Sequence, residues 1–192
     1  MSATNHRHAQ WLPLDLDGDG PIDHVVVHAK DGLDAEAQEA IARIDTTWGK
    51  DLPTIVVSLV GSGEKALFAR QLRNRSGSSC AELGHGAIWT SRTPFIAPRF
   101  RKKSGKNNIV GQVIAECAAR GLATPQVEVL PRSAMMDASF LAYVRHRRPG
   151  HPQPPDTSPW ALRLTFPGSI NGPLSLGYGS HFGLGLFAAV DE

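Results

Sequence analysis

Cysteine is scarce in this chain. Cys80 and Cys117 are the two present among 192 residues; they stand far apart and form no CxxC pair, which excludes a disulfide-stapled scaffold and a cysteine zinc site. Aromatic residues make up 7% of the sequence, and no apolar run approaches the roughly 18 residues that a membrane span needs. The opening MSATNHRHAQ has no charged segment leading into an apolar one, so no secretory leader is expected and a cytoplasmic location is. No GxGxxG precedes a helix and no GxxxxGK occurs, which removes the two common nucleotide-binding fingerprints. What is present is ordinary globular composition, with 41% hydrophobic and 20% charged residues. It reads as a single domain over residues 1–192, with a candidate subdivision near residue 131.

The net charge of +2 conceals an uneven distribution. Residues 1–52 carry four basic and ten acidic side chains, whereas residues 53–192 carry sixteen basic and eight acidic ones. From Arg70 to Lys106 there are nine Lys or Arg and one acid, Glu82, and a second basic knot follows at Arg145, Arg147 and Arg148. Clusters of this kind suit a phosphate backbone, because neutralising phosphates releases counterions. The alternative is a solvated, exposed loop.

Along the chain, DHVVVHA at 23–29 reads as a strand bounded by turn residues. A helix capped by Asp34 follows, with apolar residues at helical spacing from Leu33 to Trp48 and an exit at Gly49. TIVVSLV at 54–60 reads as a buried strand, residues 61–86 as a polar loop or insertion, and AIWTSRTPF as containing a strand. Asn107 or Asn108 caps a second helix that ends near Gly121, and QVEVLP at 126–131 is again extended. The order strand, helix, strand, strand, helix, strand predicts an α+β, ferredoxin-like domain with two helices on one sheet face and the other face open, as in RNA-recognition modules. FLAYVRHRR at 140–148 and ALRLTF at 161–166 add further C-terminal strands.

The most specific feature is GPLSLGYGSHFGLGLFAAV at the C-terminal end, with glycines at 177, 179, 183 and 185. Glycines so spaced let a backbone turn sharply and bring its amides to a phosphate, or else form a β-hairpin with bulges. With HRHAQWLPLDLDGDGPIDHVVVHA, TPFIAPRFRKK, ECAARGL and VRHRRPGHPQPP, this segment resembles the Cas-six-like half of the fused Cas-five/Cas-six subunit of type I-G (I-U) CRISPR systems. The resemblance spans nearly the whole chain. It implies a RAMP-type ferredoxin-like fold with a glycine-rich loop, CRISPR repeat RNA as substrate and other type I-G effector subunits as partners. The family's Cas-five-like half has no counterpart here, so the chain is expected to be an excised domain or a stand-alone relative.

The resemblance also implies metal-independent RNA cleavage without a cofactor, in which a 2′-hydroxyl attacks the adjacent phosphate to give a 2′,3′-cyclic phosphate and a 5′-hydroxyl. Histidine suits the base and the acid of that reaction because its ordinary pKa is near 6.5. The candidates are His6 and His8, at alternate positions before a strand, and His24, which opens the VVV strand. His181, inside the glycine-rich loop with Gly177 and Gly179, is expected to touch RNA, as are Arg99, Arg101, Lys102, Lys103, Arg145, Arg147 and Arg148. His28 and His85 read as structural or solvated. The alternative function is a non-catalytic RNA-binding subunit that holds the 3′ hairpin of a guide. Asp15, Asp17, Asp19 and Asp23 occupy calcium-loop positions, but Val26 stands where a bidentate Glu belongs, so a tight aspartate–glycine turn competes with a calcium site. A zinc site at His6 and His8 lacks two further ligands of evident spacing.

Overall fold

Two strands flank the aspartate–glycine turn: β1 (Gln10–Leu14) and β2 (His24–His28), antiparallel, with Leu12 opposite Val26 and Leu14 opposite His24. These elements come from a computed structural model that describes residues 9–49, 53–65, 68–70, 80–137, 140 and 154–190. Alternation decides the packing, since Leu12 and Leu14 share one face of β1 and are both buried. The turn between the strands is built by its own carboxylates. Asp15 accepts amide hydrogens from Gly18 (2.8 Å) and Gly20 (3.0 Å), and Asp17 accepts one from Asp19 (3.1 Å).

The first helix, α1 (Ala35–Ala42), is capped as expected, Asp34 accepting from the Ala37 amide at 2.8 Å. It is shorter than its apolar spacing predicts and buries no residue. After Asp45 the paired β-branched residues Thr46 and Thr47 favour extended backbone and form β3 (Thr46–Thr47), which pairs with β4 (Ile55–Val56). Trp48 is left 81% exposed. The expected buried strand at 54–60 is likewise corrected: only Ile55 and Val56 pair, and Ile55, Val56, Leu59 and Val60 are all exposed.

The main sheet has five antiparallel strands in the order β6-β7-β5-β9-β8, formed by β5 (His85–Ser91), β6 (Gln126–Val129), β7 (Leu162–Asn171), β8 (Leu174–Ser175) and β9 (Leu186–Ala189). Because β5 and β6 each run antiparallel to β7, they are parallel to one another with β7 between them. The crossover from β5 to β6 is the helix α2 (Ile109–Ala119). Asn108 caps its start on the Gly111 amide (2.7 Å). At its end Leu122 donates back to the Cys117 carbonyl and Gly121 to that of Ala118, a Schellman closure. A short helix, α3 (Arg132–Asp137), follows β6.

The protein is therefore mixed α/β, with strand pairing unlike that expected at its N-terminal end: strand 24–28 pairs with 10–14 and not with the main sheet. Both faces of that sheet carry apolar cover. Ile109, Val113 and Cys117 of α2 pack with Trp89, Leu164 and Phe187 in the larger core. The neighbouring Leu186 points to the other face, where it joins Leu12, Leu14, Leu16 and Leu83 in a second cluster. The expectation of an open sheet face is thus corrected where β9 passes, because alternating leucines drive the β1–β2 hairpin onto it. Among the described residues no helix is long and apolar enough to cross a membrane. The strand expected at 140–148 falls outside the described residues except for Phe140, which is buried.

Candidate nucleic-acid interface

The segment between β5 and α2 carries the basic residues in a defined frame. Arg99, Arg101, Lys102, Lys103 and Lys106 are all exposed, and no acid occurs from Ala97 to Asn108. Phe100, among them, is 79% exposed. A buried amide side chain holds the base of this loop. Gln112, 1% exposed, accepts from the Arg99 amide (3.0 Å) and donates to the carbonyls of Arg99 (3.2 Å) and Asn107 (3.0 Å). Lys102 donates its amide to the Asn107 carbonyl at 2.9 Å, closing the loop on itself. At its far end the loop lies so close to α2 that a Cβ on Gly111 would stand 2.8 Å from the Lys106 backbone. No larger residue fits there without moving the loop.

Two cations of the basic region are engaged by their own chain. Arg101 lies 5.3 Å from the centre of the Trp160 ring and 3.5 Å from the Asp156 carboxylate. Arg92 reaches Asp15 (3.2 Å) and Glu82 (3.4 Å), tying the acidic turn to the end of β5. The other loop cations, Arg99, Lys102, Lys103 and Lys106, make no ion pair among the described residues.

The glycine-rich segment is a hairpin connection between β8 and β9, and its glycines answer to the protein itself. Gly177, Gly179, Gly183 and Gly185 all have positive φ, between 59° and 91°. A Cβ on Gly185 would fall 1.9 Å from the Leu176 carbonyl oxygen, and one on Gly183 would fall 2.2 Å from Pro13 of β1. The amides turn inward as well: Gly177 donates to Glu116 (3.1 Å), Tyr178 to the Ile96 carbonyl (2.9 Å) and Gly185 to that of Pro94 (2.9 Å). Glu116 is held in turn by Arg120 at 3.0 Å. The expectation that Gly177 offers its amide to a phosphate is accordingly corrected, because Gly177 is buried and that amide is committed. Gly179 and His181 are half-buried, and Phe182 beside them is 79% exposed.

This loop connects two of the expected sites. One end lies on Phe95 and Ile96, just ahead of Arg99, and Gly183 near the other lies on Pro13, next to Leu14, which faces His24 across the hairpin. Thr93 fastens it, donating to the Gly183 carbonyl (2.6 Å) and accepting from the Leu186 amide (2.9 Å). His24 is about a third exposed, and its Nδ1 lies buried 3.0 Å from an Asp23 oxygen without an aligned hydrogen bond. Burial works to raise the Asp23 pKa, but the Leu16 amide and His24 outweigh it and hold that carboxyl below its ordinary value. His6, His8, Arg145, Arg147 and Arg148 lie outside the described residues.

Sequence reasoning read His28 as structural or solvated and passed over Lys65, whose charge acts on it at the opposite end of the hairpin, where Gln10 faces His28. Burial, assisted by the charge of Lys65, lowers the His28 pKa, and burial lowers that of Lys65, whose ammonium donates to the Gly172 carbonyl. The available signal was the period of two that places His24, Val26 and His28 on one face. Lys65 had none. The thiols are free; burial pushes Cys80 up to about 12 and Cys117 up to about 11, so neither is a nucleophile at neutral pH. Asp15, Asp17 and Asp19 bring carboxylate oxygens within 4.8 Å of one another. Both oxygens of Asp15 already accept from backbone amides, so the cluster is accounted for as the turn that joins β1 to β2. Compared with protein-family models, curated proteins and solved structures, the chain matches none of them.

Proposed function

We propose that the chain binds RNA and cleaves it as a Cas-six-type endoribonuclease, processing CRISPR repeat RNA within a type I-G assembly and built on a RAMP-type, ferredoxin-like plan. The observation that carries the reading is the exposed, acid-free Arg99–Lys106 loop pinned by Gln112, which presents cations at low conformational cost to a phosphate backbone. The glycine-rich loop runs from the root of that basic loop to the hairpin end that carries His24, so the two expected sites stand at the two ends of one loop. In this reading a histidine base, with His24, His6 and His8 as candidates, takes the proton of the 2′-hydroxyl as that oxygen attacks the adjacent phosphorus. The P–O5′ bond breaks, a second acid protonates the leaving oxygen, and the products are a 2′,3′-cyclic phosphate and a 5′-hydroxyl. His181, Arg99, Lys102 and Lys103 contact RNA, and Arg101 completes the patch from its place over Trp160.

A non-catalytic RNA-binding subunit is the second reading. It is favoured by the inward commitment of the Gly177 and Gly185 amides, which makes the glycine-rich loop a scaffold. Incubating the chain with labelled repeat RNA in excess EDTA, and mapping the product ends, separates the two. A single cut with a cyclic phosphate end, lost on substituting one of His6, His8, His24 or His181 by Ala while affinity holds within a few fold, establishes the nuclease. Binding without a cut establishes the subunit, and absence of binding refutes both.

A further inference from the structure

We infer that the Arg99–Lys106 loop takes a single-stranded stretch of RNA with one unpaired base stacked on Phe100; the inference rests on the RNA-binding reading above. Phe100 is the one apolar side chain in the run from Arg99 to Lys106, and it is 79% exposed. The backbone on either side of it is held: Gln112 bonds both the amide and the carbonyl of Arg99, and the Lys102 amide donates to the Asn107 carbonyl, while the Arg101 side chain is seated over Trp160 and beside Asp156. The ring is thus presented on a held segment, with every neighbour in the loop cationic or polar.

That combination selects among polyanions. A duplex shields its base faces by stacking, so it would satisfy Lys102 and Lys103 through phosphates and leave Phe100 in water. A single strand offers phosphates to the cations and a base face to the ring together, the arrangement by which single-stranded nucleic acids are held without sequence preference. An anionic membrane is the competing surface. One ring with no exposed apolar companion in its loop gives little to insert, whereas it suffices for one base.

The test compares fluorescence anisotropy of a labelled oligouridylate with that of an RNA duplex of equal phosphate number, for wild type, Phe100→Ala, Phe100→Trp and Lys102→Ala/Lys103→Ala. Phe100→Ala is expected to weaken single-strand binding about 5- to 150-fold while leaving the salt slope unchanged. Phe100→Trp retains affinity and adds an indole emission that RNA quenches. The double lysine variant lowers the slope. If wild type binds RNA but Phe100→Ala changes nothing, or the duplex binds as tightly as the single strand, base stacking is refuted and RNA binding stands. Binding to phosphatidylserine vesicles that depends on Phe100, in place of RNA binding, overturns both readings. So does a chain that binds neither.

Discussion

Gln112 offers the sharpest test of how this chain holds its basic loop. Its side chain is 1% exposed and makes three hydrogen bonds, one accepted from Arg99 and two donated to Arg99 and Asn107. Gln112→Met keeps length and helix propensity while removing all three. At a net worth of about 1 kcal/mol per bond the loss approaches about 3 kcal/mol. The Arg99 backbone can turn to water once released, because Arg99 is exposed. The expected loss is therefore about 2 kcal/mol, or about 4 to 8 °C in melting temperature for a chain of this size. Gln112→Glu is nearly isosteric, yet it should cost more at neutral pH: it keeps the acceptor for Arg99 but sets a buried charge against two carbonyl oxygens. Urea unfolding gives both numbers, and under the RNA-binding function proposed above, RNA titration of the folded variants should show weaker binding because the cationic loop is no longer held. Gln112→Met within about 0.5 kcal/mol of wild type, or Gln112→Glu no worse than Gln112→Met, would refute the claim that this side chain holds the loop.

Three further outcomes are expected. Thr93→Val preserves shape but strands the buried Gly183 carbonyl and Leu186 amide, and should cost about 2 to 3 kcal/mol in urea unfolding; a neutral result would mean the glycine-rich loop is held by other contacts. His28 has a folded pKa below its ordinary 6.5, so the unfolded chain binds the proton more tightly. Stability should then fall as pH drops below about 6.5 and level off once pH lies below the lowered folded value; His28→Gln should flatten that part of the pH profile, and an unchanged profile would deny the burial effect. Millimolar calcium should leave the wild-type melting temperature unmoved, since Asp15 is already occupied by the Gly18 and Gly20 amides and by Arg92. A rise abolished by Asp17→Ala would reinstate the calcium loop.

Local chemistry was legible wherever a short segment settles its own conformation. Asp34 and Asn108 cap helices because a side-chain oxygen three residues ahead of an amide can do so whatever surrounds it. The aspartate–glycine turn, the VVV strand and the exit of α2 at Gly121 follow from equally local rules. The basic loop was visible as a run of charge, and Phe100 stood in plain sight within it. What could not be read was which apolar segments find a partner. TIVVSLV has the composition of a buried strand and lies exposed, because burial belongs to the packing of two surfaces and not to one of them.

The sequence by itself therefore determined the caps, the turns, the VVV strand and the placement of positive charge, each governed by neighbours within a few residues. Only the tertiary structure decided that strand 24–28 pairs with 10–14, that this hairpin covers the sheet at Leu186, and that the glycines serve close packing against Pro13 and Leu176. It also decided that Gln112, a polar residue on an apolar helix, holds the basic loop. Those contacts join residues distant in sequence, and which of them form depends on the competition among all segments for the same core.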